Sequence, residues 1–363
     1  MDQCYTRIDL GAIGRNVERI KALVAPAKMM AVVKADGYNH GAVEVARTAL
    51  AHGADQLGVA TVPEALALRR SGITAPILAW IWLPTNTDLL REAIDQGIRL
   101  GVSSVEHARV AAELGATVDI KVDTGLLRGG VREEHWAEVF ALFPPEKING
   151  LFSHLASGEQ MDNPSNDEQR AVFERAIALY ESAGGVGRDY HFSNSPATLI
   201  YPELRYAMVR PGIAVYGLSP VPDCPIDLEP AMSLCGRVAV VKKIKAGERV
   251  SYNHTWEAPT DGFTAVIPVG YADGLPRAVQ GHLEVSINGK RYPQVGRVCM
   301  DQFVVFLGDD DSVAVGDEAF VFGGPGMSAT ELADAIGTIN YEIVCMPHGR
   351  VVRHYINPES EAQ

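Results

Sequence analysis

Residues 31–41, AVVKADGYNHG, set a lysine at the end of an apolar run and follow it with a polar, glycine-containing loop. Burying a lysine without a partner is costly. Lys34 therefore either emerges into water at a strand end or has a chemical use for its amine. Desolvated among other cations, an amine gives up its proton more readily, and the neutral form attacks aldehydes. Lys121, Arg128 and Arg210 are the cations that would supply such a field. Pyridoxal 5'-phosphate is the biological aldehyde that fits, and it also needs a phosphate cradle. Tyr38, the Ser195 hydroxyl and the backbone N–H groups of Gly212 and Ile213 in RPGI form a candidate cradle. Backbone amides in a glycine-bearing loop suit a phosphate.

The elements that must bring these residues together are legible as an alternation. MAVVK, QLGVAT, APILAWI, RLGVSS, TVDIKVD, INGLFSHL, YHFSNS and YAMVRPG read as short strands. Helical patterns lie between most of them, among them AVEVARTALAHG, which stops at Gly53, and the long NDEQRAVFERAIALYESAGG. Eight strand–helix units in about 230 residues predict a closed (β/α)8 barrel of the TIM type. An open doubly wound sheet would carry a glycine-rich first turn, and ADGYNHG is not one. In such a barrel the active site lies at the carboxyl ends of the strands. Lys34, Thr61, Trp82, Ser103, Lys121, Asp123, His154, Asn194, Ser195 and Arg210 fall there. Residues 1–229 are assigned to the barrel. After the proline-rich SPVPDCPIDLEP, residues 230–363 read as a mainly antiparallel β domain, with hairpins at "NG" and "GD" and one short helix, SATELADAIG. NPESEAQ reads as a solvated tail.

Nine segments in order carry a wider likeness: VVKADGYNHG, KVDTGLLRGG, FSHLAS, NSPA, MVRPGIAVYGLSP, VSYNHTW, GYADGLPR, GRVCMDQ and TINYEIV. Together they resemble the bacterial alanine racemases, fold-type III pyridoxal-phosphate enzymes. The resemblance implies racemisation of L-alanine to D-alanine, supplying D-alanine for peptidoglycan. It assigns the cofactor imine to Lys34, the phosphate contacts to Tyr38, Ser195, Gly212 and Ile213, and neighbouring cofactor contacts to His154 and Asn194. Arg210 would face the pyridine nitrogen. A guanidinium does not give up a proton, so that ring nitrogen would stay neutral and the ring would be a weaker electron sink. Proton transfer would use Lys34 on one face of Cα and Tyr252, from the β domain of a second subunit, on the other. A free phenol has a pKa near 10, and the family pattern assigns His154 and Arg210 to assist it. Arg128 and the backbone of Met300 would bind the substrate carboxylate, with Asp301, Cys299 and the access-channel residue Tyr271 in support. Lys121 matches a lysine that carries a carbamate in many members. A homodimer with shared sites follows from this pattern. The chain departs from it at Gly37 and Asn39, at Leu126 and Leu127, and at Gly349, where many members have a phosphate-binding tyrosine.

Bulk composition narrows the alternatives. Hydrophobic residues at 47% and charged residues at 21% are ordinary for a soluble protein. A net charge of −13 argues against a nucleic-acid binder. No run approaches a membrane span, no signal peptide is visible, and five cysteines without a C-x-x-C pair fit a reduced cytoplasm. No metal is expected. The competing readings are a racemase of another small amino acid such as serine, a fold-type III decarboxylase, a non-catalytic pyridoxal-phosphate-binding protein, and a metal-dependent hydrolase using His40, His154 and His191 with a modified Lys121. The last would place H-x-H, not lysine, on the first strand.

Overall fold

The computed structural model describes residues 2–357, so the NPESEAQ segment beyond residue 357 lies outside the described residues. The described residues divide into two compact units, one spanning Ala12–Glu229. In it, Lys28–Val32, Gln56–Thr61, Ile77–Ile81, Arg99–Val102, Val118–Lys121, Ile148–Phe152 and Met208–Val209 form parallel strands. The first six pair in chain order, and Met208–Val209 pairs with Lys28–Val32. The seventh position is reduced to one residue. His191 bridges Phe152 on one side and Met208 on the other, which closes the ring. The expected (β/α)8 barrel is therefore the observed one. Helices such as Ala42–Ala51, Val62–Arg70 and Ser165–Ser182 alternate with the strands. Strand residues are buried almost continuously, as parallel barrel strands must be; Met29, Met30 and Ala31 are fully inside.

The first site-bearing segment differs from the sequence reading. Its strand ends at Val32, and Lys34 opens a short helical turn, Lys34–Tyr38. Ala35, Asp36, Gly37, Tyr38 and Asn39 all have left-handed backbones, with φ of 52°, 53°, 64°, 50° and 65°. For a non-glycine residue this costs about 1–2 kcal/mol, so other groups must fix it. The Glu64 carboxylate accepts the Ala35 N–H at 2.7 Å through Oε1 and the Thr61 N–H at 2.8 Å through Oε2. Asp36 Oδ1 accepts the Ala42 N–H at 2.8 Å.

The other unit is a β domain whose sheet has nine strands among the described residues. It includes Cys4–Asp9, which pairs antiparallel with Met232–Arg237 and parallel with Val352–Ile356. The assignment of residues 1–229 to the barrel is thus corrected at its start: the first strand belongs with residues 230 onward. Its backbone partners are more than two hundred residues away, and no local pattern signals them. The "NG" turn is a hairpin. Asn288 (φ 50°) and Gly289 (φ 81°) join Glu284–Ile287 to Lys290–Val295, as a type I′ turn requires. "GD" at residues 308–309 is not one, because Phe303–Gly308 and Glu318–Phe322 pair with other strands. Ala329–Ile336 is the expected helix, and a second, Asn340–Cys345, follows it.

The barrel-closing residue carries a pH prediction. His191 is fully buried, with Nε2 3.3 Å from Asp119 Oδ1. Burial pushes its imidazole down to about 4, with Asp119 opposing and Arg210 adding to the depression. The unfolded chain takes that proton near pH 6.5, and the folded chain does not. The stabilisation is fully present above about pH 6.5 and is lost as pH falls towards 4, at up to about 1.4 kcal/mol per unit. Urea unfolding at pH 7.5, 6 and 5 should show this slope, and His191→Gln should make it shallower by about that amount.

Candidate active site

The carboxyl ends of the barrel strands gather most of the residues singled out from the sequence. Lys34 is half-buried, and its Nζ lies 5.8 Å from the centroid of the Tyr38 ring. Tyr38 leans on Tyr216 at 4.8 Å between centroids, and the Tyr216 hydroxyl donates to the Val32 carbonyl at 2.9 Å, so the aromatic pair is tied to the first strand. The Tyr38 hydroxyl points at Gly212; a Cβ there would sit 2.3 Å from it. Ser195 Oγ accepts the Gly212 N–H at 2.7 Å and faces the Ala214 N–H at 3.5 Å. Asn194 caps the helix Ser195–Ile200 by accepting the Ala197 N–H, and Ile213 opens the next turn, Ile213–Tyr216. A phenol, a hydroxyl and a glycine amide therefore converge where the seventh and eighth strands end.

Arg210 is buried across the barrel end. Its Nη1 donates to the His191 carbonyl at 2.8 Å and lies 3.0 Å from His191 Nδ1. Its Nη2 donates to the carbonyls of Ser153 at 2.7 Å and Phe192 at 3.2 Å. Burial lowers the guanidinium to about 9, with Asp119 opposing, so it stays charged at neutral pH. His191 Nδ1 accepts from Arg210, which leaves the ring proton on Nε2, towards Asp119. His154 is held neutral, its imidazole pushed down to about 3 by burial and by Arg210, Arg128, Lys121 and Lys34. Lys121 is likewise lowered by burial, Arg128 and Arg210, against Asp123. Its Nζ would lie 3.8 Å from a Cβ at Gly129, next to Arg128, which is itself exposed. The chemical product of this arrangement is a strongly cationic mouth in which amines and imidazoles lose protons and anions are attracted.

In the β unit, Tyr252 is not a packed strand aromatic. It opens the turn Tyr252–His254 and is 68% exposed. Ser251, Asn253 and His254 around it have positive φ. The Ser251 hydroxyl fixes the turn by donating to the Arg297 carbonyl at 2.8 Å, and lies 3.7 Å from Cys299 Sγ. Cys299 and Met300 accept the N–H groups of Tyr271 and Ala272 at 3.2 and 3.0 Å. Tyr252, Tyr271, Cys299, Met300 and Asp301 thus share one loop cluster, and Met300 and Tyr271 are exposed.

Three contributors were missed from the sequence. Glu64 was findable, because T-V-P-E at 61–64 is a capping-box spacing. Asp119, behind His191, reads as an ordinary strand residue. Gln169 holds the His154 loop by donating to the His154 carbonyl at 3.0 Å and Thr124 Oγ1 at 2.9 Å; nothing in its helical pattern signals that. Among the described residues no three His, Cys, Asp or Glu side chains gather as a metal site.

Comparison with known proteins follows the same division of the chain. The family model for the alanine racemase N-terminal domain matches residues 8–220, and that for the C-terminal domain matches residues 231–355. An alanine racemase of Corynebacterium efficiens is 53% identical, covering 98% of this chain and 99% of that protein. The crystal structure of alanine racemase from Corynebacterium glutamicum superposes with a TM-score of 0.89 at 46% identity, covering 98% of this chain and 100% of that one. That of the Streptomyces lavendulae alanine racemase superposes with a TM-score of 0.92 at 39% identity, covering 98% of both chains. The chain belongs to the alanine racemase family.

Proposed function

We propose that this protein is a pyridoxal-phosphate-dependent alanine racemase that works as a homodimer with shared active sites. The observation that carries the reading is the meeting of Lys34, the Tyr38–Ser195–Gly212 cradle and the buried Arg210 charge at one barrel mouth. The cradle fits a phosphate. With no Cβ at Gly212, the Tyr38 phenol lies against its backbone, 2.3 Å from where a Cβ would sit, beside the Ser195 hydroxyl that takes the Gly212 N–H. Tyr38, Ser195, Gly212 and Ile213 would hold the phosphate, with His154, Asn194 and Arg210 about the ring. Bound there, pyridoxal phosphate would supply an aldehyde for an amino group and an electron-withdrawing ring. Lys34 Nζ removes or returns the Cα proton on one face, and Tyr252 Oη of the partner subunit does so on the other. Arg210 keeps its protons, since both terminal nitrogens already donate to carbonyls, and would not protonate a ring nitrogen held beside it. Arg128 and the Met300 N–H bind the carboxylate, while Tyr271, Asp301 and Cys299 shape the approach.

Dimerisation is supported by exposed apolar groups on the relevant loops. Ile81, Leu83 and Leu127, on the barrel mouth, are 64%, 69% and 68% exposed, and the loop cluster of the β unit exposes Tyr252 and Met300. Patches of this kind mark association surfaces. Carbon dioxide is captured by a neutral amine, which the lowering of Lys121 favours, and a carbamate there would give Arg128 an anionic partner. No helix among the described residues is long and apolar enough to cross a membrane, which is compatible with cytoplasmic D-alanine supply for peptidoglycan.

Purified protein should convert L-alanine to D-alanine, with activity rising on added pyridoxal phosphate. Borohydride should bleach its yellow colour and leave the reduced adduct on Lys34; an adduct elsewhere would contradict the assignment. Tyr252→Phe should slow Cα proton exchange in D2O from one enantiomer far more than from the other, by roughly 10²–10⁴-fold. Equal, minor losses would count against two bases. Mixing Lys34→Ala with Tyr252→Ala subunits should restore part of the activity, and verified heterodimers without recovery would exclude shared sites.

A further inference from the structure

Three loops of the β unit meet around one arginine. Arg350 donates to Asp273 through two nitrogens, Nε to Oδ1 at 2.9 Å and Nη2 to Oδ2 at 3.0 Å. Its remaining terminal nitrogen, Nη1, lies 2.8 Å from Asp301 Oδ1. Asp273 is 1% exposed, and its Oδ2 also accepts the Gly270 N–H at 3.0 Å. The backbones around this ion cluster touch. Met300 accepts the Ala272 N–H, Cys299 accepts the Tyr271 N–H, and Asp273 accepts the His348 N–H at 3.1 Å. Gly270 packs so closely that a Cβ would lie 2.2 Å from the Met300 carbonyl oxygen. Gly349 has φ +69°, and a Cβ there would lie 2.5 Å from the Ala272 carbonyl oxygen. The departure from the family tyrosine at this position therefore has a local reason. Only glycine combines that backbone with that approach, and the conformation sets the adjacent Arg350 between the two carboxylates.

We propose that Arg350 is a positioning residue for substrate-carboxylate binding: it ties together the loops that carry Met300 and Tyr271, and it neutralises Asp273 and Asp301 beside the place where the substrate carboxylate must dock. This rests on the reading of Met300 as the group that meets the substrate carboxylate. A guanidinium fork satisfies three carboxylate oxygens on two residues at once, which a point-charge ammonium does not. Without it, Asp301 is left as an unneutralised anion next to the incoming alanine carboxylate, and the Met300 loop loses its tie to residues 270–274. The effect falls on substrate affinity, because the groups that move protons are elsewhere.

Steady-state kinetics of Arg350→Ala, Asp301→Asn and the double variant test this. Arg350→Ala should raise the KM for alanine about tenfold while kcat changes less than about threefold. The same substitution in the Asp301→Asn background should raise KM by less than about threefold, because the repelling charge is gone. Calorimetric affinity for acetate, a bare carboxylate, should fall with the KM change. An unchanged KM, or an equal rise in both backgrounds, would overturn the proposal. If Arg350→Ala does not fold by circular dichroism, Arg350→Lys is judged by the same two criteria. A wild-type protein that turns over no alanine would sink the functional reading; a wild-type protein that does, beside variants with unaltered KM, sinks only the role of Arg350.

Discussion

A guanidinium buried at the end of a barrel has to be satisfied by groups the barrel supplies, and Arg210 imposes that condition on everything around it. Its terminal nitrogens take the carbonyls of Ser153, His191 and Phe192, which line the end of the one-residue seventh strand and its neighbour. Its charge, with burial, holds His191 neutral and leaves Nδ1 free to accept. The same charge helps hold His154 neutral and lowers Lys121. Burial and this one cation thus lower three neighbours in the same direction, and Asp119, fully buried behind His191 and paired with Arg99 at 3.2 Å, is the carboxylate that opposes the cost of burying Arg210.

The second feature of the molecule is where the two residues proposed to move protons sit. Lys34 and Tyr252 stand on irregular backbone, not within strands. Left-handed residues follow Lys34, and positive φ values flank Tyr252. Such conformations persist only where the surroundings over-determine them. Glu64 does this for the lysine turn, and Ser251 does it for the tyrosine turn. In one case an outside carboxylate takes the N–H next to Lys34; in the other the hydroxyl of the residue before Tyr252 donates to the distant Arg297 carbonyl.

The barrel was legible because parallel strands are apolar throughout and their ends turn abruptly polar; Lys121, His154 and Arg210 could be placed from that change alone. The β unit was legible as a class, and its hairpin at Asn288–Gly289 followed from turn chemistry. What escaped shares one cause, dependence on distant chain. Cys4–Asp9 finds its partners at Met232–Arg237 and Val352–Ile356, and no window of sequence around it records that. His191 acts as a whole strand because Phe152 and Met208 lie on either side of it. The left-handed run after Lys34 contains alanine, aspartate and tyrosine, whose own preferences oppose it, and contacts such as those of Glu64 with the Ala35 N–H and Asp36 with the Ala42 N–H hold it. Tyr252 was placed in the right domain by family likeness, while its exposure came from a turn that VSYNHTW does not advertise.

The cationic mouth also bears on how a zwitterionic amino acid can react there. Lys34, Lys121, Arg128 and Arg210 all act on His154 as like charges. A field of that sign attracts a carboxylate, and it lowers the proton affinity of any amine that enters. Both consequences serve the proposed chemistry, since an ammonium group must lose its proton before it can attack an aldehyde. The field has a drawback as well, because Arg128 and Lys121 repel each other at the place the proposed reading gives to the substrate carboxylate. Carbon dioxide capture by Lys121 would reverse the sign at that one point. Arg128 would gain a partner to orient it, and Lys34 and Arg210 would still bias entering amines towards the neutral form.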